Sequence, residues 1–128
     1  MKTVILAGGY GTRLAEYTDK IPKPMVQIGT KPFLYYLLQQ IAEQGISEFV
    51  ILTGYKHNQI VDYFGDGKRF GWSINYSYGS VEWETGKRIW EARKIINNNF
   101  LLMYSDNFVN ISLHNLKKYN KKFNKDIT

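Results

Sequence analysis

Apolar residues fall into two patterns along this chain. Thr3 to Ala7, Phe49 to Leu52 and Phe100 to Tyr104 are short, nearly continuous apolar runs, as buried strands are, and each ends near glycine or Ser-Asp-Asn. Trp72 to Tyr78 alternates with period two and predicts a fourth strand. Between these runs the spacing changes. Leu34, Leu37, Leu38 and Ile41 recur at i, i+3, i+4 and i+7 behind Pro32, which a first helical turn tolerates. Gly45 stands where a left-handed cap would close that helix. His57 to Phe64 predicts a short helix with Ile60, Val61 and Phe64 inward, and Thr85 to Ile96 a longer one with Ile89, Ala92, Arg93 and Ile96 on one side. Leu113 to Phe123 reads as a last helix, and Asp126 to Thr128 as the start of a further strand. The stretch to Thr30 holds Pro22 and Pro24, which forbid a regular helix or central strand there.

Strands alternating with helices imply an α/β fold with a mostly parallel sheet and helices on both faces. Ligands of such open sheets bind beyond the carboxyl ends of the strands. Two chemically loaded segments follow strands here, the glycine loop from Gly8 and the turn at Ser105-Asp106.

Composition narrows the classes. The 128 residues, 44% hydrophobic and 22% charged, suit one globular domain with a sizeable core. With no cysteine, disulfides, thiolate metal sites and a cysteine nucleophile are excluded. Gly8-Gly9 interrupts the first apolar run before a secretory signal could form, and no run approaches a membrane span, so the expectation is a cytoplasmic protein without membrane contact. The net charge of +6 suggests polyanionic partners. Much of it sits in Lys117, Lys118, Lys121, Lys122 and Lys125, which read as the solvated face of a terminal helix. No aromatic-basic or zinc-finger pattern argues for nucleic acid. His57 and His114 read as surface or helix-start residues, since neither has a partner at metal spacing.

Glycines at 8, 9 and 11 let the backbone approach a ligand closely and aim amides at phosphate oxygens, while Arg13 adds a planar cation suited to phosphate. A Walker A string is absent. The run from Gly9 lacks the third glycine of a dinucleotide loop, and the second strand ends in Thr53-Gly54 rather than near an acidic residue. The full string Leu6-Ala7-Gly8-Gly9-Tyr10-Gly11-Thr12-Arg13-Leu14, followed by Ile21-Pro22-Lys23-Pro24-Met25, resembles the signature of the sugar-1-phosphate nucleotidyltransferases. That family includes the glucose-1-phosphate thymidylyl- and cytidylyltransferases and the mannose- and heptose-phosphate guanylyltransferases. The resemblance continues in order through Lys31-Pro32-Phe33-Leu34, Gly54-Tyr55, Tyr63-Phe64-Gly65-Asp66-Gly67 and Ser105-Asp106.

The resemblance implies a three-layer αβα Rossmann-like fold of the nucleotide-diphospho-sugar transferase type. It implies transfer of a nucleotidyl group from a nucleoside triphosphate to a sugar 1-phosphate, releasing pyrophosphate. Leu6, Ala7, Gly8, Gly9, Gly11 and Thr12 would hold the nucleotide, Arg13 and Lys23 the phosphates around the reacting centre, and Asp106 a Mg2+ ion. Departures from the family pattern include Glu16 for a common proline, Ser105 for glycine before Asp106, and Lys87 for a glycine within Thr85-Gly86-Lys87-Arg88. Thr85 and Gly86 are expected to contact nucleotide, with the base left open. Family members continue well past position 128, so residues 1–128 are expected to be the nucleotide-binding part of a single, C-terminally truncated domain. Two alternatives to this activity stay open, a nucleotide-binding module without turnover and a phosphocholine cytidylyltransferase-like enzyme. A third, an RNA-binding α/β domain, rests only on the lysine-rich end, and assembly as a homo-oligomer is left open.

Overall fold

A computed structural model describes residues 1–9, 21–96, 99–105, 112–115 and 118. Four strands form one sheet: β1 (Lys2–Ala7), β4 (Glu48–Thr53), β5 (Ser73–Tyr78) and β6 (Phe100–Tyr104). Its order is β5-β4-β1-β6 and every pairing is parallel. The chain therefore builds outward from β1 through β4 to β5, then crosses back to lay β6 on β1's other edge. That reversal is a topological switch point at the carboxyl ends of β1 and β6, where α/β sheets open a crevice.

Alternate residues of the two central strands feed two cores. Ile5, Ala7, Phe49 and Ile51 pack with Leu34, Leu37, Leu38 and Ile41 of α1 (Phe33–Ala42) and with Ile60 and Phe64 of α2 (His57–Phe64). Val4, Leu6, Val50 and Leu52 face the other way, against Ala92 and Ile96. Helices thus cover both faces and make three layers. The four α1 residues are fully buried, each contributing about 1.5–3 kcal/mol relative to exposure. Gly45, at φ 101°, ends the α1 segment as its position predicts, and Val61 is half-buried.

Two helical expectations change. The predicted helix from Thr85 to Ile96 is two pieces, α3 (Thr85–Glu91) and α4 (Arg93–Ile96), interrupted at Ala92 with φ −92° and ψ 3°. Arg88 lies before that point, four residues ahead of Ala92 and on the same buried face, whereas Arg93 is exposed. Residues 113–115 are helical; most of the predicted last helix, the lysine-rich end and the strand at 126–128 lie outside the described residues. On β6, Phe100, Leu102 and Tyr104 share the Val4–Leu6 face and stay exposed.

The prolines shape the entry to α1. Lys23–Met25 forms a 3-10 turn between Pro22 and Val26, and the two-residue strands β2 (Gln27–Ile28) and β3 (Lys31–Pro32) pair antiparallel before the helix starts. Beyond α2, the Gly65-Asp66-Gly67 segment is a structural turn. Tyr76 donates its hydroxyl to the Gly65 carbonyl at 2.7 Å; burial, reinforced by Asp66, pushes that phenol up to about 12, so it keeps its proton near neutrality.

Gly67 and Gly71 both have left-handed backbones, at φ 84° and 80°, but only at Gly67 would a methyl group meet Ile74 Cγ1, at 2.8 Å. Both alanine variants should lose about 1–2 kcal/mol for the backbone alone, and Gly67→Ala more. Urea denaturation checks this, and equal losses would contradict the packing.

Candidate nucleotide-binding site

The site begins where β1 runs out of partners. Ala7 is the last β1 residue paired with β4, and Gly8-Gly9 follows directly. The Gly8 carbonyl accepts from the Tyr55 amide at 3.2 Å and from Arg88 Nη2 at 3.2 Å, so the turn is tied to the end of β4. On the opposite edge the Ser105 amide donates to the Leu6 carbonyl at 3.1 Å, which fixes the end of β6 beside the same turn.

A cleft of about 370 Å³ opens over these strand ends. Leu6, Ala7, Gly8 and Gly9 form its floor, Lys23 and Pro24 one wall, and Trp83, Glu84, Thr85 and Arg88 another, with Tyr104 and Ser105 at the β6 side. Of the residues singled out by sequence, the structure brings together Leu6, Ala7, Gly8, Gly9, Lys23 and Thr85. Gly86 is exposed on α3 and does not line the cleft. Gly11, Thr12, Arg13 and Asp106 lie outside the described residues.

Lys23 reaches this position because its backbone is bracketed. Pro22 is extended at φ −65° and ψ 149°, the Met25 amide donates to the Pro22 carbonyl at 2.8 Å, and Pro24 and Met25 are buried. The lysine side chain is left half-buried at the cleft.

Arg88 is the residue the sequence pattern did not single out. Only 6% exposed, its guanidinium donates to three carbonyls: Nη1 to Thr53 at 3.1 Å, and Nη2 to Gly8 at 3.2 Å and Ser80 at 2.7 Å. Among the described residues no carboxylate pairs with it. Burial lowers its pKa from the usual arginine range, yet guanidinium remains charged at any ordinary pH. The described part of the cleft therefore carries a buried cation bonded to carbonyls alone, which favours an anion nearby. The one available signal was its place in Thr85-Gly86-Lys87-Arg88, four residues before Ala92 and eight before Ile96.

Trp83 packs where Gly79 has no side chain; a methyl group there would sit 2.3 Å from the indole Cε3. The Lys87 ammonium lies 5.0 Å from the indole centroid, so the lysine that departs from the family pattern rests on an aromatic face. His57 opens α2, with its Nδ1 2.6 Å from Thr53 Oγ1, and His114 is exposed. Among the described residues no three His, Cys, Asp or Glu side chains gather at metal-binding distance. None of the described helices is long and apolar enough to cross a membrane.

A methyl group added at Gly54 would sit 2.7 Å from the Gly8 carbonyl oxygen, a backbone atom that cannot swing aside. Gly54→Ala should cost about 1–3 kcal/mol, seen as a lower thermal midpoint; an unchanged midpoint would mean that β1 and β4 do not close together at this point.

A family model described as nucleotidyl transferase matches residues 2–128. The chain is 36% identical over 94% of its length to a probable glucose-1-phosphate cytidylyltransferase of Bacillus subtilis. It is 37% identical over its whole length to the D-glycero-alpha-D-manno-heptose 1-phosphate guanylyltransferase of Aneurinibacillus thermoaerophilus. In each case it spans 56% of the relative, so it covers about half the length of the curated relatives it matches. Among solved structures it resembles HddC from Yersinia pseudotuberculosis, in two crystal structures, one of them complexed with GMP-PN. The TM-score is 0.82 and the identity 31%, over 93% of this chain and 53% of that one.

Proposed function

The chain belongs to the nucleotidyl transferase family, and from that premise we propose that its β1–β6 cleft binds a nucleoside triphosphate for transfer to a sugar 1-phosphate. The observation that carries this reading is the cleft itself: a glycine backbone at a sheet switch point, walled by Lys23 and by an Arg88 whose acceptors among the described residues are neutral carbonyls. The named activities of the relatives supply the sugar-phosphate chemistry.

In the proposed reaction an oxygen of the sugar 1-phosphate attacks the α-phosphorus of the triphosphate. A P–O bond forms there as the bond to the β-phosphate breaks, and pyrophosphate leaves with the electron pair. A phosphate dianion needs no base, so the protein's work is positioning and charge neutralisation. Leu6, Ala7, Gly8 and Gly9, with Gly11 and Thr12, hold the nucleotide by close backbone approach, and Thr85 and Gly86 meet its base or ribose. Lys23 and Arg13 neutralise the phosphates around the reacting centre.

Mg2+ suits the cleft's donor chemistry, since it favours one or two carboxylates plus substrate phosphates over an all-protein cage. Glu84 is the carboxylate that the described residues bring to the cleft, and the residue after Ser105 is Asp106, its proposed ligand. When bound, the ion would neutralise charge on the triphosphate. Residues 1–128 are in this reading the nucleotide-binding part of the domain. Its product, a nucleotide sugar, would feed polysaccharide assembly in the cytoplasm, where triphosphates are made.

Calorimetric titration with each of the four triphosphates, with and without Mg2+, tests the reading. One triphosphate should bind selectively and more tightly with Mg2+. Among the described residues nothing lies within 4 Å of a methyl group added at Gly9, so Gly9→Ala should leave folding intact. It should still weaken binding by about 10-fold, because the methyl holds the ligand off the backbone. Lys23→Ala should weaken it similarly. A folded wild type that binds no triphosphate sinks the proposal.

A further inference from the structure

Resting on the reading of the cleft as an anion site, we propose that Arg88 is a positioning residue that locks the Gly8–Gly9 peptide in the orientation that can receive an anion. A peptide unit is planar and trans, so its carbonyl and its amide point in opposite directions. The Gly8 carbonyl is held by two donors, Arg88 Nη2 at 3.2 Å and the Tyr55 amide at 3.2 Å. The Gly9 N–H therefore points away from the guanidinium. Were that peptide to flip, a carbonyl oxygen would replace the N–H and repel any phosphate offered to the loop.

The same guanidinium ties down two other segments that approach the cleft. Nη1 bonds the Thr53 carbonyl at the end of β4, which also accepts the Gly79 amide at 2.9 Å. Nη2 bonds the Ser80 carbonyl, whose residue begins the turn leading to Trp83 and Thr85. Three segments far apart in sequence meet on one planar group. Lysine could not replace it, because one ammonium lacks the fork that reaches three carbonyls from two nitrogens.

The lock accounts for Gly8. A methyl group built there would lie 2.3 Å from both Arg88 Cζ and Nη1 and 2.8 Å from Nη2, with no other atom among its three nearest. Gly8 is thus a glycine because the guanidinium occupies the space its side chain would need. Its backbone alone, which has no positive φ, does not demand glycine.

A double-mutant cycle on Gly8→Ala and Arg88→Ala, read in the free protein by urea denaturation, tests the lock without any ligand. Each single change should raise the unfolding equilibrium constant by about 10-fold or more, since Gly8→Ala displaces the buried guanidinium from its acceptors and Arg88→Ala takes a donor from three carbonyls. Together they should cost little more than Arg88→Ala alone, because that variant vacates the space the new methyl needs. Additive losses overturn the lock. Arg88→Lys keeps the charge and gives a milder variant should Arg88→Ala fail to fold.

The positioning role is read in the same proteins by calorimetry with the triphosphate that the wild type binds in Mg2+. Arg88→Lys, compared where it is fully folded, should weaken binding about 10-fold or more, and guanidinium ions should restore part of the affinity of Arg88→Ala. Unchanged affinity in Arg88→Lys beside a coupled stability cycle overturns positioning and leaves a purely structural arginine. A wild type that binds no triphosphate overturns instead the nucleotide reading on which the positioning rests, and the stability cycle separates the two failures.

Discussion

β1 is hydrogen-bonded along both edges, to β4 from Thr3 to Ala7 and to β6 from Lys2 to Leu6. Its backbone is committed to the sheet until the strand ends, and the first residues freed from both ladders are glycines. The parallel arrangement brings all four carboxyl ends to one rim, and the reversal in strand order leaves a crevice between those of β1 and β6. Everything proposed for this molecule depends on that placement. The same glycines on an edge strand would be an ordinary turn.

Charge is then brought to the rim by two different devices. Lys23 arrives on a short 3-10 turn stiffened by flanking prolines, so its approach is set by backbone restriction. Arg88 arrives from α3 and is held by three carbonyls, so its approach is set by hydrogen bonding. Burying a guanidinium is costly unless its donors are satisfied, and carbonyls satisfy them without cancelling the charge. The result is a cleft that keeps two cations, Lys23 and Arg88, although one of them is almost fully removed from water.

Much of the fold was legible because its signals are local. α1 follows from four leucine and isoleucine positions at helical spacing, and β1, β4 and β6 from short apolar runs ended by turn residues. The parallel sheet follows from their alternation with helices. The site was legible where backbone chemistry is written in glycine and proline, at Gly8, Gly9 and Lys23. What escaped the sequence was non-local. Arg88 is buried and Arg93 exposed because of what α3 and α4 pack against. The partners that bury Arg88 sit at positions 8, 53 and 80, and no spacing pattern connects them. The indole of Trp83 depends likewise on the missing side chain of Gly79.

The central claim is that the rim of β1, and not another surface of the molecule, receives the nucleotide. A second hollow of about 510 Å³ lies near the end of β4, lined by Lys56, His57 and Tyr78 among others, and offers a built-in comparison. Backbone amide NMR of the assigned, labelled chain, titrated with each triphosphate in Mg2+, separates the two. The account predicts that the Gly8, Gly9 and Thr85 amides shift in a saturable way with one triphosphate while those of Lys56, His57 and Tyr78 stay still. Shifts confined to the second hollow, or none at saturating nucleotide, would contradict it.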